Sequence, residues 1–157
     1  MDPQFFRRTM GRFATGVTVI TVAHGDTVHG MTANAFMSVS LDPPLIVVSV
    51  DRRARMHERL EQATHFAVNV LAADQIPLSQ HFAGRVDPTL AIRFVRKGPW
   101  AFLLGVLAEI GCAVYARYDG GDHTLFLGRV EHLASYEGDP LLFYQGRYRT
   151  LTDPVQV

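Results

Sequence analysis

The chain reads as a mostly β domain whose antiparallel strands close on themselves, and three observations carry that reading. β-Branched and aliphatic runs recur along it, as at residues 17–22 and 44–50, and such residues favour a pleated, half-buried surface. Turn sequences such as His24-Gly25-Asp26 and Asp119-Gly120-Gly121-Asp122 separate neighbouring runs, which joins them as hairpins. Helical patterns are few and short, so hairpin strands dominate, and closing their sheet removes edges that an open sheet would expose.

Taken in order, Phe5, Phe6, Met10 and Phe13 recur at helical spacing with Gly11 weakening the end of the pattern. This predicts a short amphipathic helix that lids the core. Residues 16–22 form a strand, His24-Gly25-Asp26 the turn, and residues 27–30 the return strand. Residues 44–50 form a continuous apolar strand. Residues 54–62 place Met56 and Leu60 on one face, with Arg53, Arg55, Glu58, Arg59 and Glu61 around it, which predicts a surface helix. Residues 65–71 read as another strand. Asp74 is placed to cap a short helix running through Leu78 to Phe82, with Pro77 tolerated in its first turn.

Residues 84–99 carry little periodicity and contain Pro88, Gly98 and Pro99, so they read as a loop or short helix. Two long strands follow at 102–118 and 123–135, joined by residues 119–122, whose glycines supply the positive φ of a tight reversal. A strand at 141–144 completes a set of six or seven. Neither an internal repeat nor a low-complexity segment interrupts it.

At 157 residues the chain has the size of one domain, taken as 1–157. Lys plus Arg and Asp plus Glu each number 15, so there is no basic excess to recruit nucleic acid or an anionic membrane. Cys112 is the single cysteine, which excludes an internal disulfide and a cysteine-cluster zinc site. With neither a signal-peptide pattern nor a membrane-length apolar run, a soluble cytoplasmic protein is expected.

Several familiar chemistries fail on inspection. Residues 11–16 and 25–30 both have G-x-x-x-x-G spacing, but Val17-Thr18 and Met31-Thr32 follow where a phosphate loop needs lysine. A G-x-G-x-x-G turn between strand and helix is missing, as is a G-x-S-x-G elbow. His57-Glu58 is followed by Glu61 rather than a second histidine, so a zincin helix fails and no metal is expected. His24, His29, His57, His65, His81 and His132 read as solvated or structural.

Residues 30–44 are the most informative stretch. A glycine leads it, bulky side chains are scarce between Thr32 and Ala35, and Asn34, Ser38 and Ser40 add an amide and two hydroxyls. Such a segment can bring bare N–H and C=O groups against a flat polar ring. An ordinary polar loop would use the same residues.

The runs at 10–21, 30–45, 66–71, 81–84 and 121–124, all in register, resemble the short-chain flavin reductases. These are the small reductase components of two-component flavin monooxygenases. Within that family Ala54-Arg55-Met56 and Gly146-Arg147-Tyr148-Arg149 are most similar to the reductases of phenol-type hydroxylases. The resemblance spans about residues 5–150. It implies an FMN-binding split β-barrel, closed, antiparallel and of Greek-key type, with a few short helices. It further implies a homodimer that uses NADH to reduce FAD, FMN or riboflavin and hands the reduced flavin to a separate monooxygenase, an aromatic-ring hydroxylase.

The resemblance also sets expectations for individual residues. It puts Thr32, Ala33, Asn34 and Ala35 against the isoalloxazine edge, where backbone amides and the Asn34 side chain would stabilise charge on the reduced ring. Ser38, Val39 and Ser40 would line the ribityl and phosphate side, with Ser49, Asp51 and Ala54 nearby and Arg55 clamping the phosphate. Phe82, Ala83 and Gly84 would make a second flavin contact, although an apolar helix end would use the same residues. Gly121, Asp122 and His123 would serve the nicotinamide nucleotide, with His123 as the catalytic candidate and Asp122 orienting it. Tyr148 would pack at the same cleft or in the core. Arg53-Ala54 stands where many relatives carry a serine, which leaves FMN against FAD open. A flavin-carrying electron-transfer or storage protein without nicotinamide activity is the alternative.

Overall fold

The computed structural model describes residues 1–152. Its frame is a seven-stranded antiparallel sheet, and the chain enters it after helix α1 (Pro3–Met10) and the two-residue strand β1 (Thr15–Gly16). Strands β2 (Thr18–His24) and β3 (Thr27–Ala33) form the first hairpin, with Thr18 opposite Ala33 and His24 opposite Thr27. β4 (Phe36–Leu41) and β5 (Pro44–Asp51) form the next, followed by helix α2 (Arg55–Gln62), β6 (His65–Val70) and helix α3 (Ile76–Phe82). A small hairpin, β7 (Phe94–Lys97) and β8 (Trp100–Leu103), precedes the long strands β9 (Ala108–Gly120) and β10 (His123–Ser135). Short strand β11 (Leu142–Tyr144) pairs with β1 on one side and β12 (Arg147–Arg149) on the other in a separate three-stranded sheet.

Hydrogen bonding orders the large sheet as β3-β2-β6-β9-β10-β5-β4. Two apolar clusters occupy its two faces. Ile20, Val22, Ile46, Val48, Val50, Phe66, Val68 and Phe126 pack with Met56 and Leu60 of α2 on one. Val17, Val19, Leu71, Leu103, Val106 and Leu141 pack on the other, with Phe82 and Tyr148 against them. Asn69, fully buried, ties the layers together. Its amide nitrogen donates to the Val19 carbonyl at 2.9 Å and its oxygen accepts from the Leu103 N–H at 2.8 Å. A buried amide satisfied on both ends specifies one arrangement of its neighbours.

Four expectations about elements need correction. Helix α1 lids nothing: none of its residues is buried, and Phe5, Phe6 and Met10 are all more than half exposed. Residues 36–41 are strand β4 rather than loop, held by its register against β5, where Met37 meets Val47 and Ser38 meets Ile46. Residues 94–103 form the β7–β8 hairpin around Gly98, whose φ of 59° makes the turn. The expected long strand from 102 therefore breaks, Phe102 and Leu103 belonging to β8. Asp74 does not cap α3. Gln75 stands at that position, its side chain accepting from the Ala72 N–H at 2.9 Å and donating to the Leu104 carbonyl at 2.8 Å. Among the described residues no helix is long and apolar enough to cross a membrane.

Candidate functional site

One face of the sheet carries several of the residues singled out by the sequence. Successive residues of a strand point to opposite sides, and Ile46, Val48 and Val50 of β5 face the core. Val47, Ser49 and Asp51 therefore face outward. Their partners on β10 are Leu125 opposite Ser49 and His123 opposite Asp51. On the other side the Ser49 N–H donates to the Ala35 carbonyl at 3.1 Å.

This outward face floors a groove of about 750 Å³, lined by Val47, Ser49 and Leu125, by Asn34, Ala35 and Met37, and by residues 13–18. The lining is predominantly apolar, with a few polar groups placed within it. Thr15 is one of them: its Oγ1 is buried and has no hydrogen-bond partner among the described residues. Such a group carries a desolvation cost that a ligand polar atom would relieve.

Asn34 joins this groove to a second, smaller cavity of about 170 Å³, where it meets Val17, Thr32, Ala33, Ser79, Ala83 and Tyr148. Its position follows from the two-residue connection between β3 and β4, in which the Asn34 carbonyl accepts from the Phe36 N–H at 2.9 Å. Ser79 organises the smaller cavity. Its carbonyl accepts from Thr32 Oγ1 at 2.7 Å, and its hydroxyl lies 2.8 Å from the Tyr148 hydroxyl. The Thr32 hydroxyl is thus engaged within the protein. Phe82 stacks against Gly30 so closely that a Cβ there would stand 2.7 Å from its ring, and Gly84, with φ of 99°, ends α3 in open space.

Asp51 and His123 lie one outward position beyond Ser49 and Leu125, roughly 7 Å further along the strands. The His123 Nδ1 is 2.7 Å from the Asp122 carboxylate. Gly121, with φ of 76°, makes the reversal possible. Arg52 clamps this turn: its backbone N–H donates to the Asp122 carbonyl at 3.0 Å, its Nε to the Gly121 carbonyl at 3.0 Å, and its guanidinium pairs with Asp119. Asp51 is held well below the usual carboxylate range, first by the Arg53 side chain at 2.9 Å and then by the Arg53 backbone N–H. Ala54 caps α2 and Arg55 opens it, exposed to solvent.

The expected residues thus fall into three groups. Thr32, Ala33, Asn34, Ala83 and Tyr148 meet at the small cavity, Asn34, Ala35 and Ser49 at the groove, and Asp51, Gly121, Asp122 and His123 beyond its end. Ser38, Val39 and Ser40 lie apart on edge strand β4, where Val39 is the extra residue of a bulge between the two serines. Sequence reasoning missed Thr15, Leu125, Val47 and Ser79. Residues 14–18 fell within a run that carries the resemblance and opens a strand, yet none of them was singled out as a site residue, and a serine within a short helix gives no signal at all. Burial pushes the Cys112 thiol up to about 12 and leaves it inert.

Comparison with known proteins gives the family and the fold. Residues 10–152 match the Flavin reductase like domain. The chain is 47% identical over 154 residues to an NADH-dependent flavin reductase of Rhodococcus sp, covering 96% of this chain and 88% of that one. It is 41% identical to the reductase component of 4-hydroxyphenylacetate 3-monooxygenase of Thermus thermophilus, covering 95% of this chain and 97% of the other. Among solved structures, flavin reductase PheA2 in its native state superposes with a TM-score of 0.94 at 47% identity, over 98% of this chain and 100% of that one. The NADH:FAD oxidoreductase SgcE6 of Streptomyces globisporus, in complex with NAD and FAD fragments, gives 0.89 at 38% identity, over 99% of this chain and 98% of that one. With a family match across nearly the whole described chain and relatives this close at both levels, the protein belongs to the flavin reductase-like domain family.

Proposed function

We propose that the protein is an NADH-dependent flavin reductase that supplies reduced FAD or FMN to a separate monooxygenase, an aromatic-ring hydroxylase in keeping with its relatives. The observation that carries this reading is the placement of Asn34 and Ala35 on the same sheet face as His123, with the apolar groove between the elements that bear them. The groove residues fit a flat ring with one polar edge: Val17, Val47 and Leu125 offer apolar contact, while Asn34 and Ser49 offer polar atoms.

When bound, the flavin accepts a hydride from NADH and with a proton becomes the reduced flavin, leaving NAD⁺. The chain supplies the surroundings. Thr32, Ala33, Asn34 and Ala35 hold the ring edge and oppose the negative charge that develops there. The apolar lining excludes water, which strengthens those dipoles. Since an ionised Asp122 only accepts, the His123 Nδ1 carries the proton between them at 2.7 Å. Nε2 then accepts an amide N–H from the nicotinamide while the ring is neutral, and donates to a phosphate once protonated.

Arg55 extends to the flavin phosphate, Ser49, Asp51 and Ala54 shape that end, and Ser38, Val39 and Ser40 contribute along β4. Phe82, Ala83 and Gly84 support the ring from α3, and Tyr148, through Ser79, fixes the smaller cavity. Residues 1–157 act as one cytoplasmic domain. Because only Asn34 and Ala35 separate β3 from β4, the two ends of the sheet come together, which supports a closed split barrel of Greek-key type. The exposed apolar face of α1 supports a homodimer.

Steady-state oxidation of NADH and NADPH with FAD, FMN and riboflavin in turn tests the reading. NADH oxidation that depends on flavin is expected, with Asn34→Leu losing flavin affinity. A protein that holds flavin without oxidising NADH would instead be an electron carrier, and one that binds no flavin would overturn the assignment.

A further inference from the structure

A cleft at the opposite end of β3 from the groove has a chemistry of its own. On α2, Arg59 and Gln62 lie three residues apart and share a basic side. Glu61 is engaged elsewhere, 3.8 Å from the Arg117 Nε and 3.7 Å from the His57 Nε2. The basic side faces the β2–β3 hairpin, where a cavity of about 480 Å³ opens between His24, Gly25, Arg59, His65 and Arg96. A pocket of about 140 Å³ that includes His29 shares Val22, His24 and Arg59 with it, so the two form one cleft.

No aspartate or glutamate lines either part, although acids and bases balance over the chain at 15 each. Asp26 at the hairpin tip and Glu58 on α2 are close in sequence yet line neither, and Glu131 stands 3.7 Å from the His65 Nε2 outside the lining. The Arg96 guanidinium is fixed at the mouth by the Gly25 carbonyl, which leaves its charge uncompensated. Among the described residues neither Arg59 nor Arg96 makes an ion pair. The positive field is felt by His29, which burial and then the charges of Arg59 and Arg55 hold below its ordinary range.

We propose that this cleft is a second ligand site, for a small multiply charged oxyanion of the diphosphate class. Two guanidinium groups on different elements, Arg59 from α2 and Arg96 from β7, can each engage two oxygens at once. His24 and His65 add further donors when protonated. The site lies apart from the groove, because the six residue steps of β3 from Thr27 to Ala33 span roughly 20 Å. It does not rest on the functional reading of that groove.

Calorimetric titration of the flavin-free protein with inorganic pyrophosphate, and separately with ADP, tests the proposal. Saturable binding of pyrophosphate is expected, weakened about tenfold by Arg59→Gln and by Arg96→Gln and retained in Asn34→Leu. Both arginines are exposed, so unfolding midpoints of the variants should match wild type, and Arg59→Lys should bind between wild type and Arg59→Gln. Tighter binding of ADP identifies a nucleotide as the source of the diphosphate, and equal or weaker binding identifies the free anion. Absence of saturable pyrophosphate binding, unchanged binding in both glutamine variants, or its loss in Asn34→Leu would overturn the site.

Discussion

Asn34 can serve two cavities because the chain turns there in two residues, and the same economy governs the other site residues. His123 gains its orientation from an adjacent carboxylate, Asp122, and from a turn that Arg52 ties down at three points. His123→Ala should therefore raise the KM for NADH while leaving flavin affinity nearly intact, and equal losses in steady-state kinetics and flavin titration would remove that role. Thr15 makes the complementary case. Its buried hydroxyl has no protein partner among the described residues, so replacing it with the isosteric Val removes an unpaired group rather than a bond. Thr15→Val should raise stability by about 1 kcal/mol in a denaturant titration. A loss of stability would show that the hydroxyl is satisfied. The Gly-Asp-His turn was legible as a motif, but nothing in the sequence distinguishes Thr15 from any strand threonine, since an unsatisfied atom exists only in three dimensions.

At the level of elements, the β7–β8 hairpin shows how a segment with poor periodicity becomes ordered. Its strands are held by contacts to distant residues: the Thr21 hydroxyl donates to the Ala101 carbonyl at 2.6 Å, the Trp100 Nε1 to the Cys112 carbonyl at 3.0 Å, and the Lys97 Nζ to Glu109 Oε2 at 2.7 Å. Burial pushes the Glu109 carboxyl up, but Lys97 and then His132, 3.1 Å away, more than offset it and hold it below its ordinary value of 4.5. A depressed carboxylate contributes stability above its unfolded value and loses it as pH falls through the folded one. Hairpin order should therefore weaken below about pH 4.5. Trp100, the one tryptophan, reports this by fluorescence, and Glu109→Gln should abolish the acid transition; an identical transition in that variant would assign it to other groups. Strand β4 was readable in principle, since Met37, Val39 and Leu41 alternate with Ser38 and Ser40. The serines and the bulge at Val39 disguised it as a polar loop.

For the whole molecule, the apolar residues left outside matter as much as those within. Phe5, Phe6, Met10 and Phe13 gather on and just after α1, with Phe13 80% exposed and also lining the groove. A helix with a strong apolar stripe and no buried residue calls for a partner surface, and in the proposed homodimer a second copy of the chain would supply one beside the groove. Sedimentation should find a dimer, and Phe6→Glu with Phe13→Glu should yield folded monomer with impaired flavin binding. A monomeric wild type would overturn this arrangement.

Residue order alone is enough for the antiparallel strands, the hairpin turns and the family, because alternation, turn glycines and motifs are local properties that each segment carries alone. Packing settles which face of β5 and β10 becomes the groove, that α1 stays uncovered, and that Arg59 of α2 and Arg96 of β7 meet His24 of β2 and His65 of β6 in one cleft. Those outcomes depend on register and on contacts between residues far apart in the chain. A one-residue shift in pairing would turn Ser49 and His123 toward the core, and no local pattern records which register the packed molecule adopts.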